Sequence, residues 1–290
     1  MPANINKNWF QSLVNQKNFS TAYLLPFSKV FKARIDLEVR NEHEMKLVPK
    51  MYGAEVISLK VTDYNGSIKA LNKCVSLNSL LISAPNLEYN KFDQLNNNMS
   101  DLIFLKPASG NDLNLTKLKS LKNLTFFNYE DSSFLPILSV FDQLEEVDIN
   151  GLDVSSRSIN SISTKIIRLD ELTIKEDIFI QDVNWQALVI ERTKGEGKIF
   201  FKNLIQLKKV RVNEYDKHVD YQSLFNQPNL ETIYIQDEDF LQKLLKHDNI
   251  QNPILTIKYL RFEVSESDKE ILKKRFKRVE KLNPKKEVFF

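Results

Sequence analysis

Apolar residues recur along the chain in one short pattern, apolar-x-x-apolar-x-apolar. The stretch LKNLTFFNYE carries it at Leu121, Leu124 and Phe126, and LEEVDINGLD repeats it twenty-three residues later from Leu144. Ten sets fit the pattern: Val56/Leu59/Val61, Leu77/Leu80/Ile82, Met99/Leu102/Phe104, Leu121/Leu124/Phe126, Leu144/Val147/Ile149, Leu169/Leu172/Ile174, Trp185/Leu188/Ile190, Leu207/Val210/Val212, Leu230/Ile233/Ile235 and Ile257/Leu260/Phe262. Their first members are separated by 21, 22, 22, 23, 25, 16, 22, 23 and 27 residues. This near-constant spacing indicates a structural repeat.

Each set predicts one short strand. The last two apolar positions of a set are two residues apart, which is the strand period, so both side chains point to the same face. One coil cannot bury this face alone, whereas stacked parallel strands enclose a continuous core. The segments between the strands carry apolar residues at helical spacing and predict short helices or turns: Ile68/Leu71, Phe92/Leu95, Leu115/Leu118, Phe134/Leu138/Phe141, Ile159/Ile162, Tyr221/Leu224/Phe225 and Phe240/Leu244.

The pattern resembles the leucine-rich repeat superfamily, whose signature is L-x-x-L-x-L-x-x-N/C-x-L with about 20–29 residues per coil. The resemblance covers roughly residues 51–263. It departs from the family at the ninth position, where this chain carries Tyr64, Pro85, Pro107, Tyr129, Leu152, Asp177, Thr193, Tyr215 and Glu238. The resemblance implies an α/β solenoid: a horseshoe of about ten coils with a parallel concave sheet, short helices or turns on the convex side, and helical caps at both ends.

The ends of the chain are predicted to differ from the repeat, because terminal coils need caps. Residues 1–50 form the N-terminal cap, 51–263 the solenoid and 264–290 a basic capping helix and tail. In the first segment, Trp9, Phe10, Leu13 and Val14 predict an amphipathic helix, and Ile35, Leu37 and Val39 a leading strand. In the last, Ser267 and Glu270 predict a capping box, with an apolar stripe at Ile271, Phe276, Val279 and Leu282.

Positions flanking the middle and last anchors are predicted to face outward on the concave sheet. Most are polar, but a group of apolar and charged residues forms the predicted partner-binding face: Leu81, Ile103, Leu105, Phe127, Glu146, Asp148, Glu171, Lys209, Arg211, Tyr234, Tyr259 and Arg261. An apolar patch rimmed by charge is typical of a protein interface. Two alternatives stay open: the N-terminal cap or a loop covers Leu81, Ile103 and Phe127, or the assumed register is wrong.

Composition narrows the functional classes. The 290 residues carry 41 basic and 38 acidic side chains, so no global field favours nucleic acid. The start lacks a signal peptide pattern and no apolar run is long enough to span a membrane. The single cysteine, Cys74, rules out an intramolecular disulfide framework and fits a reducing compartment. The predicted location is cytoplasmic, or a host cytosol if the protein is delivered there.

The residues that usually carry catalysis are sparse and scattered. Asp216-x-His218-x-Asp220 imitates a metal cluster without a second histidine nearby, and Cys74 precedes buried positions. The segment KGEGK, residues 194–198, lacks the context of a phosphate loop and predicts a tight turn. We therefore expect no enzymatic activity, no metal, no cofactor and no small-molecule substrate.

The predicted function is a protein–protein interaction scaffold that binds a protein partner on its concave face. An immunity or inhibitor protein and a bacterial effector are the two concrete versions. Two alternatives stay open: a substrate-recognition subunit with an F-box-like N-terminal segment at YLLPFSKVF, or nucleic-acid binding through the basic C-terminal helix.

Overall fold

The computed structural model describes residues 23–27, 30–34, 39, 41–51, 58–62, 64–83, 92, 95, 98–105, 118–127, 144–246, 252–260 and 262–282. The chain forms two compact units, Met1–Asn128 and Tyr129–Phe290. Eleven strands belong to a parallel sheet, four in the first unit and seven in the second. With a few short helices, this is an α/β fold, as the repeat predicts.

The first unit begins with an antiparallel hairpin and continues with a helix and the parallel strands. Its elements are β1 (Tyr23–Phe27), β2 (Val30–Arg34), α1 (Glu42–Met51), β3 (Ser58–Thr62), a 3-10 helix (Lys69–Lys73), β4 (Ser79–Ser83), β5 (Asp101–Leu105) and β6 (Asn123–Phe127). The segment YLLPFSKVF contains β1 and the first two residues of β2. Of the predicted leading strand, Val39 forms a parallel bridge with Val61. The predicted helix at Trp9–Val14, with Ile35 and Leu37, lies outside the described residues.

Strands β3 to β6 pair in register, and their side chains alternate between core and surface. In β4, β5 and β6 the second and fourth residues are buried and the others are half-buried. A repeated hydrogen-bond fork joins consecutive coils just before each strand: the carbonyl of Asn78 accepts from the N–H groups of both Ser100 and Asp101. The carbonyl of Ser100 accepts in the same way from Lys122 and Asn123. The period-two pattern and this fork together fix the register.

In the part of the second unit that the structure describes, there are the other seven strands of the parallel sheet, four short return strands and four helices. Its elements are β7 (Glu146–Asn150), α2 (Ser156–Asn160), β8 (Ile166–Asp170), β9 (Leu172–Ile174), β10 (Ile178–Gln181), β11 (Ala187–Ile190), β12 (Thr193–Gly195), β13 (Ile199–Lys202), β14 (Lys209–Val212), α3 (Tyr221–Phe225), β15 (Thr232–Ile235), α4 (Glu238–Lys246), β16 (Asn252–Tyr259), α5 (Glu266–Lys273) and β17 (Phe276–Lys281). The sheet order here is β17-β16-β15-β14-β11-β8-β7.

The middle anchors of the sheet strands are buried and evenly spaced. They are Leu59, Leu80, Leu102 and Leu124 in the first unit, and Val147, Ile167, Leu188, Val210, Ile233, Ile257 and Val279 in the second. They are 21, 22 and 22 residues apart in the first unit and 20, 21, 22, 23, 24 and 22 apart in the second. The predicted strands of eight sets are therefore confirmed, and the true spacing is more regular than the predicted one.

Two sets were assigned the wrong register. Ile167 and Leu169 pair with Val147 and Ile149, so the sixth sheet strand is β8 and not the predicted Leu169/Leu172/Ile174 set. Leu172 and Ile174 belong to β9, which pairs with β12 in a separate two-stranded sheet. In the tenth coil, Ile257 and Tyr259 pair with Ile233 and Ile235, so Ile257 is a middle anchor. Both errors arise because return segments are as apolar as the sheet strands.

The return side combines short helices with a second set of strands. Helices α2, α3 and α4 and the 3-10 helix lie where the apolar pairs predict them, burying Ile159, Leu224, Phe240 and Leu71. Where β9 pairs with β12 and β10 with β13, the returns are extended instead. Trp185 is buried below this layer, and its indole N–H donates to the carbonyl of Ile162 at 2.9 Å.

The C-terminal segment is not one helix. Helix α5 begins after Ser265, whose hydroxyl accepts from the N–H of Asp268, so the predicted cap at Ser267 is displaced by two residues. The chain then turns into β17, an eleventh parallel strand paired with β16. Phe276 and Val279 are buried as strand residues, whereas Ile271 is exposed. The predicted continuous helical stripe is therefore wrong.

Candidate functional site

The side chains that alternate with the buried anchors form what we call the open face of the sheet. In the first unit its middle row runs across four paired strands: Lys60, Leu81, Ile103 and Thr125. In the second unit the corresponding row is Asp148, Arg168, Val189, Arg211, Tyr234, Lys258 and Glu280. Within this row Val189 and Tyr234 are themselves buried. In-register neighbours in a sheet stand about 4.8 Å apart, so side chains along each row are in contact range.

The open face of the first unit carries an apolar patch, defined as Leu81, Ile103, Leu105 and Phe127. All four are half-buried, although each alternates with fully buried anchors. Leu81 pairs with Ile103, and Leu105 pairs with Phe127. The four side chains therefore lie on the side of the strands opposite the buried anchors, and the strands hold them next to one another.

The surroundings of the apolar patch are polar and well hydrogen-bonded. The amide of Asn123 donates to Asp101 at 2.6 Å, and the hydroxyl of Ser100 donates to the other carboxylate oxygen of Asp101. Thr125 and Lys60 are the half-buried ends of the same middle row. A partly exposed apolar centre with a polar margin is the usual arrangement of a protein interface.

The open face of the second unit carries a set of charged and polar groups from neighbouring strands, most of which pair with one another. We call this set the charged ladder; its members are Glu146, Asp148, Arg168, Asp170, Glu191, Arg192, Arg211 and Asn213. Arg168 donates to Glu146, and Asn213 donates to Glu191. Asn213 in turn accepts from Arg211 at 2.7 Å. Since most of these groups already have partners across the strands, the ladder is largely self-compensated.

Asp170, the last residue of β8, is another acidic member of the charged ladder. Its carboxylate accepts from the amide of Asn150 at 2.8 Å and from the guanidinium of Arg192 at 3.3 Å. Arg192 also pairs with Glu171 at 3.0 Å. Arg192 therefore contacts two carboxylates, those of Asp170 and Glu171, at the end of β8.

Burial dominates the acid–base properties of the charged ladder. It raises the pKa of Asp148 to about 6, against the opposing attraction of Arg168 and with the repulsion of Glu146, Asp170 and Glu191. Burial also raises the pKa of Glu191, and the neighbouring Asp170 carboxylate adds to this effect. Both carboxylates are harder to ionise because they give up water without gaining a full set of compensating partners.

The charged residues of the predicted partner-binding set have three outcomes: four lie on the open face, one does not, and one is outside the described residues. Glu146, Asp148, Lys209 and Arg211 lie on the open face of the second unit, as expected. Glu171 does not: it occupies a turn between β8 and β9 with φ of 52°, because the sixth strand was predicted five residues too late. Arg261 lies outside the described residues.

The two predicted tyrosines are buried. Tyr259 points into the core at 2% exposure, since it aligns with the buried Ile235. The prediction that Tyr259 faces outward is wrong because the register of its strand was predicted wrongly. Tyr234 does lie on the open face, between Arg211 and Lys258, but only 7% of it is exposed. Long charged neighbours cover such a ring with their aliphatic stems.

Sequence reasoning missed Arg168, Asp170 and Arg192, which help to hold the charged ladder together, and it placed Asn213 outward without including it in the partner-binding set. A signal was available: sets based on Ile167 and Leu188 give intervals of 20 and 21 residues around the sixth coil. The chosen set gave intervals of 25 and 16. Regular spacing would have placed Arg168 and Asp170 outward.

The other candidate residues are occupied in structural contacts. The ring of His218 is buried, with Nδ1 2.9 Å from the carbonyl oxygen of Gly197. Asp216 accepts from the backbone N–H of His218 at 2.8 Å. Among the residues that the structure describes, no group of three His, Cys, Asp or Glu side chains could hold a metal ion. Cys74 is buried, and desolvation raises the pKa of its thiol to about 11.

The basic C-terminal residues are divided among different elements. Lys269 and Lys273 pair with Glu266 and Glu270 along α5. Arg275 is buried, and its guanidinium donates to the carbonyl of Leu244 at 2.8 Å. These cations therefore do not line one continuous helical face.

No helix in the described ranges has both the length and the apolar character needed to cross a bilayer. Comparison with models of known protein families finds none that matches the chain, and comparison with curated proteins finds no similar sequence.

Proposed function

We propose that this protein is a non-enzymatic scaffold that binds a protein partner through the open face of its strands, with the apolar patch at the centre of the contact. The observation that carries the proposal is the position of Ile103. It is half-buried beside Leu81 on a face whose other positions are mostly polar. Burial of each patch residue by a partner would contribute about 1 kcal/mol or more.

The rigidity of the strands supports the same function. Side chains on in-register strands are held at fixed spacing by the backbone ladder, so a partner that docks there orders few groups. The charged ladder of the second unit is less suited to anchor a partner, because most of its charged groups already have partners on neighbouring strands. An inhibitor-type or effector-type protein that occludes another protein would use such a surface. A solenoid of the leucine-rich-repeat type is the architecture that we propose, supported by the spacing of 20–24 residues between middle anchors.

The experiment is affinity capture from the source organism with identification by mass spectrometry. Wild type is compared with Ile103→Glu/Phe127→Glu, which places two charges in the patch without touching a fully buried side chain. The matched control is Ser76→Glu/Asn78→Glu, which adds the same charge at exposed positions before β4. Circular dichroism verifies that all three proteins fold.

The proposal expects a partner that wild type and the control retain and that the patch variant loses by about tenfold or more. A partner retained equally by the patch variant would move the contact away from the open face. A partner lost equally by the control would show a general effect of added charge.

A further inference from the structure

The first unit contains a cleft of about 720 Å³ between α1 and the 3-10 helix. Four lysines line it, two from each helix: Lys46, Lys50, Lys69 and Lys73. Glu42 is the acidic lining residue, and Pro49 and Ala70 contribute apolar surface. The whole chain carries 41 basic and 38 acidic side chains. The described lining of this cleft, by contrast, has four lysines and one glutamate, so positive charge predominates there.

Neighbouring carboxylates compensate these lysines only in part. Lys46 pairs with Glu42 at 2.7 Å, and both side chains are 64% exposed, so the pair is weak. Lys50, Lys69 and Lys73 are exposed and form no ion pair with an acidic side chain of the described residues. Lys46 and Lys50 are four residues apart on α1 and repel each other. An anion in the cleft would reduce this repulsion.

The lining favours an acidic peptide over other anions. Among the described lining residues there is no arginine, which grips phosphate with two parallel hydrogen bonds, and no aromatic ring on which a base could stack. The site is concave, whereas a bilayer surface needs a flat or protruding set of cations. Lysine ammonium groups on flexible stems suit separate carboxylates, and Pro49 with Ala70 can contact the apolar residues between them.

We propose that this cleft binds an acidic peptide segment of a protein partner. The identity of that partner rests on the proposed function, but the affinity for acidic peptide is a property of this cleft and is measured without it. The cleft is formed by return-side elements, so its substitutions leave the apolar patch residues unchanged.

Fluorescence anisotropy tests the proposal with a labelled (Glu-Gly)5 peptide and its neutral counterpart (Gln-Gly)5. The cleft variant is Lys50→Glu/Lys73→Glu. The matched control, Lys202→Glu/Lys277→Glu, makes the same charge change at exposed lysines of the second unit. Lys50→Gln/Lys73→Gln is a milder variant for use if charge reversal disturbs folding. Salt is kept near 0.02 M so that screening does not hide the interaction.

The expected result is binding of the acidic peptide but not the neutral one, with a dissociation constant about tenfold higher in the cleft variant and unchanged in the control. Equal binding of the two peptides, or equal weakening in both double variants, would overturn the proposal. Tighter binding of a ten-nucleotide oligothymidylate or of phosphatidylserine vesicles, lost in the cleft variant, would assign the cleft to those ligands instead. The patch variant Ile103→Glu/Phe127→Glu should bind the acidic peptide like wild type, so a failure here and a failure of the proposed function are distinguishable.

Discussion

Asp148 shows how the alternation of a strand sets the chemistry of a single side chain. Its neighbours Val147 and Ile149 are buried anchors, so Asp148 must point to the open face. There it meets Arg168 on the next strand and the carboxylates of Glu146 and Asp170. Burial outweighs the arginine, and the pKa of Asp148 rises to about 6.

This shift predicts a pH-dependent stability. The folded-state pKa of about 6 lies above the ordinary value of 3.8, so the folded protein binds this proton more tightly than the unfolded chain. The contribution of Asp148 to stability therefore falls as the pH rises from about 4 to 6, and stays low above that range. Asp148→Asn removes the ionisable group. The variant should be more stable than wild type by about 1–2 kcal/mol at neutral pH.

Urea unfolding of both proteins at several pH values measures this difference. The free energies of unfolding should converge near pH 4, where the carboxyl of Asp148 is largely protonated in the folded protein. A difference that is constant across the range, or a variant that is less stable at neutral pH, would mean that attraction to Arg168 dominates at this position.

At the scale of elements, the sequence predicts strands well and their register less well. Eight of the ten sets place the strand anchors correctly, because an apolar residue two positions from another is diagnostic when the flanking residues are polar. The strand anchors of the sixth and tenth sets were predicted at the wrong residues, because apolar character alone does not tell which sheet a strand joins. Leu169, Leu172 and Ile174 are all fully buried, yet they belong to two different strands in two different sheets.

The segment KGEGK was predicted as a tight turn, but its first two residues end strand β12, which pairs with β9. Gly195 has φ of +119°, and a Cβ there would lie 2.1 Å from the carbonyl oxygen of Ile174. Gly195→Ala should therefore destabilise the protein by about 2 kcal/mol or more, because both the backbone conformation and the close approach of β9 oppose a side chain. The neighbouring exposed Glu196→Ala should have little effect. Equal midpoints of thermal unfolding for the two variants would show that β9 and β12 do not approach so closely.

Arg275 connects the C-terminal elements through a hydrogen bond rather than through surface charge. Its guanidinium donates to the carbonyl of Leu244 in the last turn of α4, where helical carbonyls lack backbone donors. Arg275→Met keeps the bulk of the side chain but leaves this carbonyl unpaired. The free energy of unfolding should fall by about 1–3 kcal/mol.

Lys277→Met, which removes a nearby exposed charge, is the control for Arg275→Met. Chemical unfolding of both variants compares them directly. A comparable loss in Lys277→Met would indicate that net charge, and not the contact with α4, stabilises this region.

At the scale of the whole molecule, the repeat predicts most of the architecture and only part of the candidate site. The spacing predicts parallel strands, and the alternation predicts which side chains leave the core, so the apolar patch follows from the sequence. The charged ladder does not, because Arg192 lies beyond the end of its strand and reaches back to Asp170. The basic cleft was missed because its lysines come from two helices that are neighbours only in the folded unit.

The most direct test of the protein-binding function is site-specific photo-crosslinking on the apolar patch. A photoreactive phenylalanine analogue replaces Ile103 or Phe127 in one pair of proteins, and Val75, an exposed residue of a turn in the same unit, in a control. Irradiation in cells of the source organism, followed by mass spectrometry, identifies what each position contacts. The account predicts one common partner crosslinked from positions 103 and 127 and not from position 75. Crosslinks from positions 103 and 127 to this chain alone, or to a partner only from position 75, would contradict it.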